Sequence, residues 1–241
     1  MSTDAEFDYR SNQVDRPPTR GERILYRVVR NLLVGFCRVF WRLEVHGRDN
    51  VPDGPFILSA VHRSNIDSPI VSAVTSRRLR FMGKHTMWKV AWAGRFFTAL
   101  GGFGVNRGTA DREALRPCIK VLEAGEPLVM FPEGARQSGP VVQELFEGPA
   151  YVAARTGVPI LPVGIGGSAR ANPIGANYLR PSKIVMVIGE PIPAPAGEAG
   201  KRPHRRAIAA TTDALHARLQ VLFDDAQERV GDPNRPVDAT D

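Results

Sequence analysis

The strongest candidates for chemistry in this chain are a histidine and an aspartate five residues apart. The segment from His62 to Asp67 reads HRSNID, and on a single helix the two side chains would point about 140° apart. The apolar run 55–61 predicts a strand that ends just before His62, and Pro69 after Asp67 predicts a helix start. His62 is therefore predicted to lie on a loop, where Asp67 can fold back onto the imidazole. A carboxylate on one ring nitrogen leaves the other nitrogen as a base.

Two further segments carry groups that could hold a phosphate. In residues 101–107, GGFGVNR, the glycines let the backbone approach a ligand and Arg107 can bind an anion. In residues 131–136, FPEGAR, Glu133 and Arg136 follow an apolar run directly, which predicts a position at the carboxyl end of a strand. Each of the three segments, taken alone, also fits a structural role: a core histidine with an N-capping aspartate, a glycine-rich turn, or a turn with a surface ion pair.

Apolar runs alternate with helical patterns along the rest of the chain. Runs such as FILSAV and PLVMF are typical of strands that helices cover on both faces. Strands are predicted at 42–46, 55–61, 79–83, 127–131, 159–164 and 183–189. Helices are predicted at 69–76, 86–99, 110–124, 146–156 and 203–228, and Pro117 predicts a late start or a kink in the third of them. This alternation indicates an α/β fold with a largely parallel or mixed central sheet flanked by helices.

The first forty residues predict a disordered segment and then an amphipathic helix. Residues 1–21 are polar and lack periodicity, so they are expected to be disordered. Residues 22–41 place a basic stripe beside a wide apolar face, which suits a helix that lies in a membrane interface; the alternative is a helix packed on the core with its arginines in water. The stripe consists of Arg23, Arg27, Arg30, Arg38 and Arg42. Residues 42–228 are expected to form one domain and 229–241 a mobile tail.

Composition narrows the class of partner. The 241 residues carry a formal charge of +7, which favours anionic partners. Basic motifs typical of nucleic-acid binding are absent from the sequence, so no nucleic-acid partner is expected. Cys37 and Cys118 do not have metal-site spacing and are expected to be ordinary reduced thiols. We expect no signal peptide and no membrane-spanning helix, because the sequence has neither an apolar leader nor a long uncharged apolar run.

Taken together and in order, four segments resemble the four sequence blocks of the glycerolipid acyltransferase family. The family's best-known activity is that of 1-acyl-sn-glycerol-3-phosphate acyltransferase, also called lysophosphatidate acyltransferase. The blocks are HRSNID at 62–67, GGFGVNR at 101–107, FPEGAR at 131–136 and VPILPV at 158–163. The first and third blocks are the specific ones, and the whole of 22–190 can fit the family.

The resemblance implies a reaction and a set of residues. His62 and Asp67 would be catalytic, with His62 as the general base on the free sn-2 hydroxyl of a lysophospholipid. The substrate would be bound by Lys84, Arg107, Glu133, Gly134 and Arg136. Acyl-CoA or acyl carrier protein would be the co-substrate, and neither a metal nor another cofactor is implied. The protein would act at an anionic membrane surface, as a peripheral or monotopic protein on the cytoplasmic face of the cell membrane.

Several alternatives stay open on the sequence. The acceptor could also be glycerol-3-phosphate, another lysophospholipid or a lysoglycolipid, because the chain departs from the usual family residues in the second and third blocks. Outside the family, the chain could be a metal-dependent hydrolase with His62, Asp67 and Glu133 as ligands, or a non-catalytic basic module. Acyl-chain length, the donor carrier and the oligomeric state are not determined by the sequence.

Overall fold

The structure, a computed structural model, describes residue 14 and residues 16–105, 115–195 and 204–234. Most of the predicted N-terminal segment and the end of the predicted tail lie outside the described residues, as does Arg107. Within the described part, the first helix begins at Arg20, inside the segment predicted to be disordered. The Thr19 side chain accepts a hydrogen bond from the Glu22 backbone and the Glu22 side chain accepts one from the Thr19 backbone, which caps this start.

The described residues form a seven-stranded sheet and seven α-helices. The strands are β1 (Glu44–His46), β2 (Ile57–Ala60), β3 (Arg80–Lys84), β4 (Gly102–Val105), β5 (Leu128–Met130), β6 (Ile160–Gly166) and β7 (Val185–Ile188). The helices are α1 (Arg20–Phe40), α2 (Asp67–Ile70), α3 (Ala91–Ala99), α4 (Arg116–Glu123), α5 (Gly148–Thr156), α6 (Ser168–Ala171) and α7 (Arg205–Arg229). Short 3₁₀ turns occupy Arg48–Asn50, Val71–Ala73 and His85–Trp88.

The strand order confirms the predicted α/β class. The sheet runs β1-β7-β6-β2-β5-β3-β4, and neighbours are parallel except for the antiparallel pair β6 and β7. Strands β2 and β6 are buried along their whole length, which explains their uninterrupted apolar sequences. Strand β2 lies between β6 and β5, so the loop after β2 emerges at the middle of the carboxyl edge.

Strand β4 is absent from the sequence-based prediction. It pairs with β3 at the edge of the sheet, and the two strands carry facing glycines, Gly83 and Gly104. A Cβ atom built on Gly83 would lie 2.6 Å from the ring of Trp88, and one on Gly102 would lie 3.2 Å from it. The described glycines of this segment therefore make room for a tryptophan ring. In the sequence alone, the same glycines are typical of a turn, which is why the strand is not predicted.

Two helical layers cover the sheet. Helix α1 contacts α2 and α3 on one side, while α5 contacts α4 and α7 in the other layer. Helix α4 begins at Arg116 with Pro117 in its first turn, which confirms the late start. Helix α7 lies against β6 so closely that a Cβ atom on Gly164 would be 2.1 Å from the Leu222 carbonyl oxygen.

Helix α1 packs on the core with one face and exposes an apolar stripe on the other. Its buried residues include Val34 and Cys37, which join the main hydrophobic core. The exposed stripe, which we call the α1 stripe, consists of Ile24, Leu25, Val28, Leu32, Phe36 and Val39. Arg30, one of the five arginines of the predicted basic stripe, is half-buried, and its Nε donates to the carbonyls of Ser72 and Thr75 at 3.0 and 2.9 Å. Among the described helices, none is long and apolar enough to cross a bilayer.

A buried ionic cluster at the start of β3 gives a test of the fold. Arg80 is 1 % exposed, and its guanidinium lies 2.5 Å from Glu126, which also pairs with Arg78 at 3.0 Å. Replacing Glu126 by Ala leaves a buried guanidinium without this carboxylate, so we expect a loss of about 3 kcal/mol in the free energy of unfolding. Urea unfolding measures this loss. The matched control is Glu123→Ala on the exposed face of α4, and an equal effect of both substitutions would contradict the assignment.

Candidate active site

The carboxylate of Asp67 folds back onto the loop that follows β2. It is fully buried, and its Oδ2 lies 2.9 Å from His62 Nδ1. The same oxygen accepts the backbone N–H groups of Arg63 and Ser64, both at 2.6 Å. Asp67 therefore begins helix α2 but caps the turn before it rather than the helix itself. The contact that the sequence analysis expected between His62 and Asp67 is present.

The imidazole of His62 is held by two contacts, one with Phe131 and one with Asp67. Its ring stacks on Phe131, with centroids 4.1 Å apart and planes inclined by 21°. Its side chain is 16 % exposed, so the ring is reachable from outside. Because Nδ1 faces a carboxylate, the proton of the neutral ring lies on Nδ1 and Nε2 carries the free lone pair. The arrangement suits a general base.

The carboxylate of Glu133 supports the backbone of His62. One oxygen, Oε2, accepts the His62 backbone N–H at 3.0 Å, and Oε1 accepts that of Gln143 at 3.1 Å. Both oxygens also accept hydrogen bonds from Nη1 of Arg63, at 2.9 and 2.8 Å. The sequence analysis assigned Glu133 to the substrate; in the structure the side chain is buried, and these contacts are all to the protein.

Arg63 is the residue of this site that the sequence analysis missed. It is 2 % exposed, and its guanidinium reaches the carbonyl oxygens of His62 and Val141 and lies 4.8 Å above the ring of Phe223 on α7. The Arg63–Glu133 pair thus joins the loop after β2, the loop after β5 and helix α7. No local pattern distinguishes this arginine from a solvated one, because its partner lies seventy residues away. Only the sheet topology, which makes β2 and β5 neighbours, brings the two together.

The structure describes the remaining predicted site residues to different extents. Arg136 is half-buried, and its guanidinium makes no hydrogen bond or ion pair with any residue that the structure describes, so it is available to an anion. Gly134 has a left-handed φ of 71°, and a Cβ atom there would meet the ring of Phe146 at 2.5 Å. Lys84 ends strand β3, and only its backbone is described. Arg107 lies outside the described residues.

Neither cysteine is suited to act as a nucleophile. Burial raises the pKa of the Cys37 thiol to about 11 and that of Cys118 to about 12. Both thiols are therefore protonated at neutral pH, and a thiol is a far weaker nucleophile than a thiolate. Within the described ranges, no three His, Cys, Asp or Glu side chains form a group that could hold a metal ion.

Comparison with known proteins identifies the family. Residues 42–166, slightly more than half of the chain, match a family model described as "Acyltransferase". The chain therefore belongs to this acyltransferase family.

Named relatives give a narrower likeness. The chain is 24 % identical over 200 residues to the 1-acyl-sn-glycerol-3-phosphate acyltransferase of Bacillus subtilis, covering 82 % of this chain and 96 % of that protein. It is 29 % identical over 162 residues to a Chlamydomonas reinhardtii protein of the same name, covering 64 % of this chain and 48 % of that protein. The crystal structure of the 1-acyl-sn-glycerophosphate (LPA) acyltransferase PlsC from Thermotoga maritima superposes with a TM-score of 0.65 at 25 % identity, covering 85 % of this chain and 83 % of PlsC.

If the Arg63–Glu133 pair positions His62, a substitution of Arg63 should lower kcat and leave KM unchanged. Arg63→Lys keeps the charge and lets the chain fold, but an ammonium cannot make all the contacts of the guanidinium. The loop that holds His62 then shifts, and we expect kcat to fall roughly tenfold or more with KM unchanged. Steady-state kinetics of acyl transfer, well below the Tm of the variant, measure this. Arg218→Lys on the exposed face of α7 is the matched control, and wild-type kcat in Arg63→Lys would contradict the positioning role.

Proposed function

We propose that this acyltransferase moves a fatty acyl group from acyl-CoA, or from acyl carrier protein, to the free sn-2 hydroxyl of 1-acyl-glycerol-3-phosphate. The product would be phosphatidate. The observation that carries the proposal is the imidazole of His62, oriented by the buried carboxylate of Asp67 and open at Nε2. The names of the Bacillus, Chlamydomonas and Thermotoga relatives support this acceptor.

The mechanism follows from the position of the lone pair. His62 Nε2 takes the proton from the sn-2 hydroxyl as the oxygen attacks the thioester carbonyl. The tetrahedral intermediate carries a negative charge that backbone amides or a nearby cation stabilise. Its collapse breaks the carbon–sulfur bond, and the imidazolium returns its proton to the leaving thiolate. Asp67 keeps the ring in one tautomer and stabilises the imidazolium between the two proton transfers.

The acceptor phosphate would be bound by cationic side chains near the loop after β5, Arg136 among them. Arg136 follows Glu133 by three residues, and the adjacent Gln137 backbone N–H donates to the His62 carbonyl at 2.8 Å. The loop that carries the Arg136 guanidinium is therefore hydrogen-bonded to the loop that carries the base, and the planar fork of the guanidinium suits a phosphate. By resemblance to the family, Arg107 and Lys84 add further charge to the phosphate site, and Gly134 lies in the acceptor region.

Direct transfer requires no acyl-enzyme. The raised pKa values of Cys37 and Cys118 keep both thiols protonated, and the sequence has no G-x-S-x-G nucleophile elbow. We therefore expect no covalent acyl-protein when the donor is supplied in substoichiometric amount.

A membrane surface is the proposed working environment. The α1 stripe is apolar, and residues 20–42 contain six arginines against one glutamate. Beside α1, helix α3 and its preceding turn expose Met87, Val90, Trp92 and Phe96. An apolar face edged by arginines suits the boundary between head groups and acyl chains of an anionic leaflet. The substrate and product lipids would then enter and leave without crossing water. We assign the protein to the cytoplasmic face as part of the same proposal.

The test of the reaction compares wild type with His62→Ala. Transfer of a radiolabelled acyl group from acyl-CoA to lysophosphatidate in mixed micelles is measured by chromatography of the lipid product. Removal of the base should lower the rate by roughly 10²–10⁴. The matched control is His46→Ala on the edge strand β1, since that side chain is 41 % exposed and strands β7 and β6 separate β1 from β2 in the sheet.

Different outcomes separate the base from the acceptor. Equal activity of wild type and His62→Ala would contradict the base assignment. Wild-type activity with glycerol-3-phosphate or another lysophospholipid, but not with lysophosphatidate, would keep the base and replace the acceptor. Parallel reactions with acyl-CoA and acylated carrier protein distinguish the two donors.

A further inference from the structure

A second exposed apolar surface lies on the loop between α6 and β7. Residues 172–180, which we call the Tyr178 loop, expose Ile174, Tyr178 and Leu179 to 46 %, 47 % and 47 % of their surfaces. Three large apolar side chains are therefore exposed on one nine-residue loop, and exposed apolar groups are a feature of interaction surfaces. The proposed reaction does not use any of them.

The Tyr178 loop is held in place rather than loosely attached. The side chain of Asn172 donates to the carbonyls of Ala176 and Tyr178 at 3.3 and 2.9 Å, and the Arg180 backbone donates to Ala171 at 2.8 Å. Nη2 of Arg180 donates to the Tyr178 hydroxyl at 2.8 Å, and the guanidinium lies 5.0 Å from the Tyr178 ring centroid. The apolar side chains are thus presented on a preorganised surface, which lowers the entropy cost of binding.

The Tyr178 loop borders the C-terminal end of helix α1. Trp41 Nε1 donates to the Arg180 carbonyl at 3.1 Å, and the Ile184 backbone donates to the Trp41 carbonyl at 3.0 Å. The Trp41 ring in turn contacts the ring of Phe36 at 5.4 Å, and Phe36 belongs to the α1 stripe. Trp41 therefore joins the loop to the stripe, so that the two apolar surfaces are neighbours.

Charge around the loop selects the kind of partner. Residues 168–189 contain Arg170, Arg180 and Lys183 but no acidic residue. Lys183 pairs with Glu44 and Arg170 lies 4.0 Å from Asp232, whereas Arg180 has no carboxylate partner among the described residues. Arg180, which no described carboxylate neutralises, lies against an exposed tyrosine beside a leucine. This grouping matches the interfacial zone of a membrane, where aromatic rings and cations meet lipid head groups.

We propose that the Tyr178 loop is a second contact with an anionic bilayer, adjoining the α1 stripe. The inference rests on the membrane placement given in the proposed function. The loop is also connected to the site, because Ser64 Oγ donates to the Asn172 carbonyl at 2.6 Å and the Ser64 backbone donates to Asp67. Two hydrogen bonds through Ser64 therefore link the Tyr178 loop to the carboxylate that holds His62.

The test measures vesicle binding without donor or acceptor, so it does not depend on the reaction. Wild type, Leu179→Asp and Arg180→Glu are sedimented with phosphatidylcholine vesicles that contain or lack phosphatidylglycerol. We expect each substitution to weaken binding to the anionic vesicles about tenfold, with little change on neutral vesicles for Arg180→Glu. The matched control is Val221→Asp, because Val221 is 63 % exposed on α7 in the opposite layer. An unchanged Tm shows that each variant is folded.

A variant in the α1 stripe separates this inference from the membrane placement itself. If Leu32→Asp weakens binding and Leu179→Asp does not, the loop contact is overturned and the α1 contact stands. If wild type binds neither kind of vesicle, both are overturned. A change in sedimentation coefficient with Leu179→Asp, at unchanged vesicle binding, would mean that the loop meets a second copy of the chain and would also overturn the proposal. Weakened binding in a chain that shows no acyl transfer would support the loop contact while the proposed reaction fails.

Discussion

The buried carboxylate of Asp67 is the interaction on which the rest of the site depends. A carboxylate without water is costly unless donors surround it, and here the imidazole of His62 and two backbone N–H groups converge on one oxygen. These hydrogen bonds hold the six-residue loop 61–66 after β2 in a tight turn. That turn sets the direction of the imidazole. A loop that was free to relax would not hold Nε2 at a constant position.

A second buried carboxylate, that of Glu133, supports the backbone of the same loop. Glu133 holds the backbone N–H of His62, and Arg63 neutralises Glu133 while it spans to the loop at Val141 and the ring of Phe223. The two anionic groups therefore act on one histidine in different ways, one on its ring and one on its backbone. Removing either partner of the Arg63–Glu133 pair would leave an unpaired charge in the protein interior. Such a charge destabilises the fold far more than the pair itself stabilises it.

The fold also explains the two faces of helix α1. Helix α1 joins the core through Val34 and Cys37, and its Arg30 donates hydrogen bonds to the carbonyls of Ser72 and Thr75. The opposite side of the helix stays apolar and exposed, and α3 lies beside it. The circumference of an amphipathic helix is wide enough for one face to pack on the core while another face stays exposed.

Local patterns in the sequence determined six of the seven described strands, most of the described helices and the histidine–aspartate pair. Apolar runs predict buried strands because each residue of a covered strand faces a helix, and Pro69 predicts the helix start that turns Asp67 back. Tertiary structure alone decided that Arg63 is buried, that Arg30 turns inward and that 102–105 is an edge strand. Each of these depends on a partner far along the chain: Glu133 for Arg63, Ser72 and Thr75 for Arg30, and strand β3 for β4. A side chain's environment is set by what folding brings to it, and a charge carries no local sign of whether water or a carboxylate will surround it.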